Sequence, residues 1–310
     1  MIRVLSTPGC FAAYNMAVDE ALLDTCRRAA SQRDASRRDA GRDDASRGDA
    51  GWDDASQRDA SRGDAEMMAL RIYSWCPPAV SIGYGQEAEK EVDFGQCERY
   101  GIGVVRRITG GRAVLHDQEL AYSLVAPESH PALGGRSGVM LRTVSEALVE
   151  TLKHFDIPAE LAKEGRCGSG GNDDVCFTAT GRYEITVAGR KLAGSAQRRS
   201  RGVVLQHGSM LLGPGHRRLP LLMPAHEPER RETIARLLNH RTVSVAELIP
   251  DLPSFEEWTN RLSRSMLDRL NVEGRTDVLD AVERRAAESL VRTRYANADW
   301  TYRRTASHVR

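Results

Sequence analysis

Residues 183–212 read YEITVAGRKLAGSAQRRSRGVVLQHGSMLL and carry the clearest strand pattern in the chain. Apolar and polar residues alternate over Tyr183–Val187, a turn follows at residues 188–189, and the chain returns through Lys191–Ser195. Val203–Leu212 is a further strand-like run. Alternation with a period of two residues is typical of strands. The stretch therefore predicts three successive strands of a mixed or antiparallel sheet.

Strand patterns also dominate between residues 70 and 125. The segments are Leu70–Trp75, Ala79–Ile82, Val104–Thr109, Arg112–Leu115 and Leu120–Val125. Gly110 and Gly111 separate the third segment from the fourth. Because a short glycine turn between two strand-like runs is typical of a β-hairpin, we expect these two segments to pair with each other.

Helical patterns occur before and after these strands. Asn15–Leu23 and Val139–Phe155 carry apolar residues at the spacing of an α-helix. Ser254 and Glu257 form the signature of a capping box. The apolar stripe that follows is interpreted as packing core rather than as a cofactor site, and it consists of Phe255, Trp258, Leu262, Met266 and Leu270.

The order of these elements indicates an α+β fold, with a mixed or antiparallel sheet, packed helices and a small C-terminal helical segment. We expect one main domain over residues 1–250 and a helical cap over residues 251–310. A chain of 310 residues can bury a sufficient core for this without disulfides or metal clips.

A repeat with a period of five residues covers positions 33–65, where Asp is followed by Ala at every fifth position. Trp52 is its one large apolar residue, so the segment cannot bury enough surface to offset its ordering entropy. We therefore predict a disordered insertion at residues 31–66. A pentapeptide-repeat β-helix and a salt-bridged single helix are the alternatives.

The composition excludes several classes of protein. With 44 basic and 43 acidic residues, the net charge of +1 argues against a strongly basic nucleic-acid binder. No run of about 18 apolar residues occurs, and the opening MIRVLSTPGC lacks the apolar core of a secretory signal. We expect a cytoplasmic protein without membrane association. The six cysteines form no C-x-x-C pair, so we expect no metal site and no disulfide framework.

Three segments are candidates for chemistry. Residues 106–117, RRITGGRAVLHD, contain two glycines that allow a ligand to approach the backbone, although a plain hairpin with solvated arginines fits as well. Residues 189–198, GRKLAGSAQR, contain Lys191, which could equally be structural. Cys176 follows a glycine-rich stretch and is either an accessible nucleophile or an inert thiol.

Together these segments resemble the biotin/lipoate protein ligase family. The pieces that carry the resemblance occur in family order and cover most of residues 1–213 apart from the repeat. They are NMAVDEALL, RIYSWCPPAVSIGYGQ, RRITGGRAVLHDQELAYSLVAP and CFTATGRYEITVAGRKLAGSAQRRSRGVVLQHGSMLL. The turn carries Arg112 where lipoate ligases tend to have a third glycine. In having a cysteine before the strand that leads to the G-R-K segment, the chain resembles the octanoyltransferases of the LipM type.

The resemblance implies a ligase-like catalytic domain and roles for individual residues. Cys176 would be the acyl-thioester nucleophile, and Lys191 the cation that lowers its pKa. Substrate binding would fall to Arg107, Gly110, Gly111, His116, Gly194 and Ser195, with backbone N–H groups of the glycine turn or of the Gly194 region holding an oxyanion. An octanoyl chain would need an apolar tunnel, for which we expect the walls to be Val80, Ile82, Val114 and Leu124.

The implied reaction moves octanoyl from octanoyl-acyl carrier protein to Cys176 and then to a lysine of a lipoyl domain or of glycine-cleavage H protein. No ATP, cofactor, nucleic acid or membrane is required. Three alternatives stay open: an ATP-dependent lipoate-protein ligase, an amidotransferase that takes octanoyl from H protein, and a non-catalytic binder of lipoyl domains or carrier proteins.

Overall fold

The structure, a computed structural model, describes residues 1–44, 68–131, 133, 137–162 and 183–302. These residues form an eight-stranded sheet, a three-stranded sheet and the helices packed on them. The strands are β1 (Ile2–Cys10), β2 (Ala69–Trp75), β3 (Ala79–Ile82), β4 (Gly103–Arg106), β5 (Val114–His116), β6 (Glu119–Pro127), β7 (Glu160–Leu161), β8 (Ile185–Val187), β9 (Arg190–Ser200), β10 (Val203–Leu211) and β11 (Gly274–Asp277).

The α-helices are α1 (Ala12–Asp44), α2 (Ala88–Glu91), α3 (Phe94–Arg99), α4 (Ser137–His154), α5 (Pro228–Arg241), α6 (Phe255–Leu270), α7 (Ala281–Leu290) and α8 (Ala298–Tyr302). Two 3₁₀ segments, Pro214–Leu222 and Val245–Glu247, and a π-helical turn at Val291–Tyr295 connect them. None of the helices in the described ranges is long and apolar enough to cross a membrane.

The large sheet has the order β11-β1-β2-β6-β10-β9-β8-β7 and is mixed. Strand β1 is parallel to β2 and β11, whereas the strands from β2 through β6 to β7 pair antiparallel. The turn predicted at residues 188–189 and a second turn before residue 203 are tight, with Ala188, Gly189, Arg201 and Gly202 in the left-handed region. The α+β fold with a mixed sheet and packed helices is therefore confirmed.

Alternate side chains of the central strands serve two different cores. On β6, Leu124 faces the core formed with α4 and α6, and Val125 faces the core formed with α1 and α7. On β10, Val204 and Leu205 divide in the same way. Successive side chains of a strand point to opposite faces of the sheet. Both faces of these central strands are therefore apolar, and helices pack on each.

The predicted hairpin around Gly110 and Gly111 is wrong. Strands β4 and β5 do not pair with each other, because β3 lies between them, parallel to β4 and antiparallel to β5. The two glycines belong to a wider loop over residues 107–113. A local pattern indicates two strands but does not indicate that an earlier segment will be inserted between them.

The disordered insertion at residues 31–66 stays a prediction, although the backbone of residues 31–44 continues α1. This is the helical alternative. A helix that is already nucleated adds residues at little further cost, and the Ala and Arg of this segment are good helix formers. The rest of the insertion, residues 45–66, lies outside the described residues.

The chain beyond residue 250 is mainly helical, as expected. Ser254 and Glu257 form the predicted capping box at the start of α6, and Asn271 ends the helix in the left-handed region. The apolar stripe packs into the core, with Trp258 fully buried. The same segment also supplies β11, which pairs with β1 in the large sheet. The boundary between residues 250 and 251 stays a prediction.

Candidate active site

A cavity with about 520 Å³ of non-atom space, partly open to solvent, lies where α1, the large sheet and the small sheet meet. Part of this space is open to solvent, so the enclosed part of the cavity is smaller. Its apolar wall includes Met16 of α1 and Tyr73 and Trp75 of β2. Met16 is buried among the core residues beneath, so it forms the floor of the cavity.

The structure brings most of the predicted substrate-binding residues to this cavity. Five line it, although they come from two distant segments of the chain: Arg107, Gly111, His116, Gly194 and Ser195. Gly110 is the neighbour of Gly111 in the same loop. The roles of these residues in binding stay predictions.

Arg107 holds the glycine loop in shape. Its buried guanidinium donates to the carbonyl oxygens of Gly110 and Arg112, each at 2.8 Å, and to Ser81. Gly111 has φ 94°, and a Cβ there would lie 2.8 Å from Nη2 of Arg107. A Cβ on Gly83 would lie 1.9 Å from the carbonyl oxygen of Gly111. Glycine is therefore required at both positions for the two loops to touch.

His116 is held on three sides. Its Nδ1 lies 2.6 Å from Oε1 of Glu119, and its Nε2 lies 2.7 Å from Oγ of Ser81. The ring stacks on Trp75, with 4.0 Å between centroids and 6° between planes. Ser209 donates to the same oxygen of Glu119 at 2.7 Å. This network orients the imidazole firmly at the wall of the cavity.

Ser195 lies on β9 opposite Gly208 of β10. Its hydroxyl is 2.6 Å from that of Tyr122, to which Gln206 also donates. Burial raises the pKa of Tyr122, so the phenol keeps its proton. A Cβ on Gly208 would lie 2.5 Å from the carbonyl oxygen of Gly194, so the absence of a side chain at Gly208 keeps this part of the cavity open.

Lys191 does not line the cavity. It follows the β8–β9 turn, is 1% exposed, and its Nζ lies 2.5 Å from Oε1 of Glu184. A bulge in the pairing of β8 with β9 lies between Lys191 and Ala193, and bulges commonly re-aim side chains beside functional sites. Cys176 lies outside the described residues, so the pairing of this thiol with Lys191 stays a prediction.

A buried polar network that was not predicted from the sequence lies under the cavity. Asp19 of α1 accepts from Arg71 at 2.9 Å and from Ser123 at 2.8 Å, and its Oδ2 lies 3.2 Å from Nδ1 of His207. Burial raises the pKa of Asp19, but the bond with His207 and the charge of Arg71 outweigh burial, so the net pKa lies below its usual value. Polar residues that interrupt an apolar helix face and an apolar strand were the available signal.

Of the four residues expected to wall an octanoyl tunnel, one lines the cavity. Val114 lines the cavity, but Val80, Ile82 and Leu124 point into the cores on the other side of their strands. On β3 the residue that faces the cavity is Ser81. The prediction chose the apolar residues of the strand, whereas the alternation of the strand turns the polar one inward.

Within the described ranges, no group of three or more His, Cys, Asp or Glu side chains is placed to hold a metal ion.

The chain is similar in sequence to a known family of proteins and to individual members of it. The lipoyl protein ligase A/B catalytic domain matches residues 49–267. The octanoyltransferase LipM of Geobacillus kaustophilus is 37% identical over 240 residues, which cover 76% of this chain and 86% of that protein. LipM of Anoxybacillus flavithermus is 32% identical over 307 residues, which cover 97% of this chain and 98% of that protein.

A solved structure shares the fold over the full length. It comes from a study of a bi-partite lipoate protein ligase and its E2 lipoyl domain from Thermoplasma acidophilum, with a TM-score of 0.71 and 24% identity, and covers 100% of this chain and 98% of that one. The chain therefore belongs to the lipoyl protein ligase A/B catalytic domain family, within which its relatives of 32% and 37% identity are octanoyltransferases.

Proposed function

We propose that this chain transfers octanoyl from octanoyl-acyl carrier protein, through a thioester on Cys176, to a lysine of a lipoyl domain or of glycine-cleavage H protein. The observation that carries the proposal is the cavity that gathers Arg107, Gly111 and Ser195 from separate segments. The likeness to LipM octanoyltransferases, over 76% of the chain for one relative and 97% for another, supports it.

In the first half-reaction the Cys176 thiolate attacks the carbonyl carbon of the donor thioester. The tetrahedral intermediate collapses, the bond to the carrier's thiol breaks, and that thiol leaves as thiolate and takes up a proton. One thioester replaces another, so the step is close to neutral in free energy and needs no ATP.

In the second half-reaction the neutral ε-amine of the acceptor lysine attacks the acyl-enzyme. An amide bond forms, the bond from the carbonyl carbon to the Cys176 sulfur breaks, and the proton lost by the amine balances the charge of the released thiolate. An amide is much more stable than a thioester, so this step drives the cycle.

Lys191 would act as a fixed positive charge toward Cys176. An opposite charge within about 4–6 Å lowers the pKa of a titrating group by roughly 1–3 units, which would convert the thiol to the reactive thiolate near neutral pH. The burial of Lys191 and its ion pair with Glu184 support this assignment, because they hold the ammonium in one place. The carboxylate of Glu184 also keeps the buried charge compensated.

The oxyanion of each intermediate would be held by backbone N–H groups of the Gly110–Gly111 loop or of the Gly194–Ser195 segment. Pre-oriented donors of this kind lower the barrier because they need no rearrangement as the charge develops. We place the reaction in the cytoplasm, where thiols stay reduced and Cys176 would remain available as a nucleophile.

Intact-mass measurement after mixing with octanoyl-acyl carrier protein tests the proposal. We expect one hydroxylamine-sensitive octanoyl adduct without ATP, absent in Cys176→Ala, and slower acylation in Lys191→Ala than in Lys191→Arg. Turnover that persists in Cys176→Ala would overturn the mechanism.

Two other cysteines of the chain serve as matched controls. Cys76→Ser removes an exposed thiol, and Cys97→Ser removes a thiol whose pKa burial raises to about 11. Both variants should acylate like the wild-type protein. Loss of the octanoyl adduct in Cys76→Ser would show that the donor acylates Cys76 merely because this thiol is exposed, which would contradict the proposal.

The same assay separates the other functions. An ATP-dependent ligase would use free octanoate only when ATP is added; a solved protein of 25% identity and TM-score 0.69 is a lipoate-protein ligase A bound with ATP. An amidotransferase would be acylated rapidly by octanoyl-H protein but not by the carrier protein. A binder without catalysis would capture its partners and show no turnover.

A further inference from the structure

A second imidazole, His207, lines the cavity and has no part in the reaction steps above. It lies on β10 between Ser123 of β6 and Ala196 of β9, and it is 6% exposed. Both ring nitrogens have partners. Nδ1 lies 3.2 Å from Asp19, and Nε2 lies 2.7 Å from Oγ1 of Thr109. The imidazole thus links helix α1 to the residue that precedes Gly110.

The hydrogen bonds determine which ring nitrogen carries the proton. Asp19 is paired with the buried guanidinium of Arg71 and receives a hydrogen bond from Ser123, so it is a charged carboxylate. A carboxylate only accepts hydrogen bonds, so Nδ1 of His207 donates to it. Nε2 of the same ring is hydrogen-bonded to the hydroxyl of Thr109, so the bond to Asp19 also fixes the direction in which the ring meets Thr109.

Two hydrogen bonds fix Thr109 from two sides. Its hydroxyl is bound to His207, and its carbonyl oxygen accepts from the backbone N–H of Tyr84 at 2.9 Å. Thr109 is 1% exposed, so it is not itself a group that meets substrate. What it controls is the path of the backbone into Gly110 and Gly111.

We propose that His207, oriented by Asp19, is a positioning residue that acts through Thr109 to hold the Gly110–Gly111 amides where the acyl carbonyl oxygen binds. The inference rests on the proposed function. A loop of two glycines has wide conformational freedom, so its amides need a fixed neighbour to stay pre-oriented for an oxyanion. Displacement of such a group by about 1 Å can cost on the order of 100-fold in rate.

Isosteric variants test the proposal. Thr109→Val keeps the shape and removes the hydroxyl, whereas Thr109→Ser keeps the hydroxyl. The amide of His207→Asn can replace Nδ1 but not Nε2, and the amide of His207→Gln can replace Nε2. We expect Thr109→Val and His207→Asn to slow acylation of Cys176 by about 10- to 100-fold without a change in donor KM. Thr109→Ser and His207→Gln should retain most of the rate.

The double variant Thr109→Val/His207→Asn should be no slower than either single variant, because both remove the same link. Thr151→Val is the matched control, since it removes a buried threonine hydroxyl that bonds to Ala147 in α4, far from the cavity. Wild-type rates in Thr109→Val, or multiplied losses in the double variant, would overturn the proposal.

Hydrogen–deuterium exchange of residues 108–113 gives a readout that is independent of activity. Exchange should accelerate in Thr109→Val and His207→Asn, but not in Thr109→Ser or Thr151→Val. Unchanged exchange in the first two would overturn the positioning role whatever the rates. A wild-type protein that forms no Cys176 thioester would instead overturn the proposed function, and accelerated exchange would still support the link to the loop.

Discussion

At the scale of single residues, the neighbours Gly110 and Gly111 differ in whether the structure leaves room for a side chain. Gly111 has a positive φ and contacts Arg107, whereas a Cβ on Gly110 would meet nothing within 4 Å. We expect Gly111→Ala to lower the free energy of unfolding by about 1–3 kcal/mol, through backbone strain and the displaced guanidinium.

Gly110→Ala should change the free energy of unfolding by less than about 0.5 kcal/mol. Urea denaturation of both variants measures the difference. Equal losses of stability would contradict the assigned geometry of the loop.

The predicted site residues were within reach of sequence reasoning because they cluster in two short segments, one around Gly110 and one around Gly194. The pair of Asp19 and His207 was not, because 188 positions separate them and only the packing of α1 on the sheet joins them. Ser81 was missed for a local reason: the alternation of a four-residue strand does not reveal which of its faces meets the cavity.

At the scale of elements, His216 joins the 3₁₀ segment Pro214–Leu222 to the end of α5. Thr242 donates its hydroxyl proton to Leu238, so it accepts from Nε2 of His216 at 2.7 Å. Burial, and then the charge of Arg217, lower the pKa of His216 to about 4. In the unfolded chain the value returns to about 6.5.

Between pH 6.5 and 4 the unfolded chain therefore holds one more proton on this ring, and stability falls as the pH falls. We expect His216 to contribute a loss on the order of 2–3 kcal/mol across that window. In His216→Gln the free energy of unfolding should fall less steeply over this range. The exposed His226, changed to Gln, is the control and should leave the slope unchanged.

The position of helix α1 beside β2 allows a prediction for a variant that lacks the repeat. The helix contacts Ser74 at Asn15 and Arg71 at Asp19, so it runs antiparallel to β2 and passes the start of that strand well before Arg33. Deletion of residues 33–65 thus leaves the two elements joined by a short connection. We expect acylation rate and melting temperature to stay close to wild type. A large fall in either would assign the repeat a structural role.

Element identity could be predicted from sequence better than element pairing. The strands between residues 69 and 127 and helix α4 follow from apolar spacing alone. Strand β11 has the sequence GRTD and is largely exposed, so no apolar pattern marks it. The insertion of β3 between β4 and β5 depends on contacts between distant segments, which a local pattern does not contain.

At the scale of the whole molecule, the end of the described chain supports the site. Arg106 donates to the carbonyl oxygens of Trp300 and Thr301 and also to that of Gly83, and Trp300 returns a hydrogen bond to the carbonyl oxygen of Arg106. Helix α8 is therefore tied to the strand that leads into Arg107.

We expect Trp300→Ala to lower the free energy of unfolding by about 2 kcal/mol and to slow Cys176 acylation, because the loop at Gly83 loses its support. Trp300→Phe keeps the ring contact with Tyr84, so its stability and its acylation rate should lie between those of the wild-type protein and Trp300→Ala. Chemical denaturation and the acylation assay measure both effects. A destabilised variant with an unchanged rate would separate this helix from the site.

The pairing of β1 with β11 has a consequence for synthesis. Strand β1 leaves the ribosome long before β11, so one side of β1 stays uncovered until β11 has emerged. This part of the sheet is thus completed only after β11 is released, and a nascent chain that stalls before β11 would display an unpaired backbone to its neighbours.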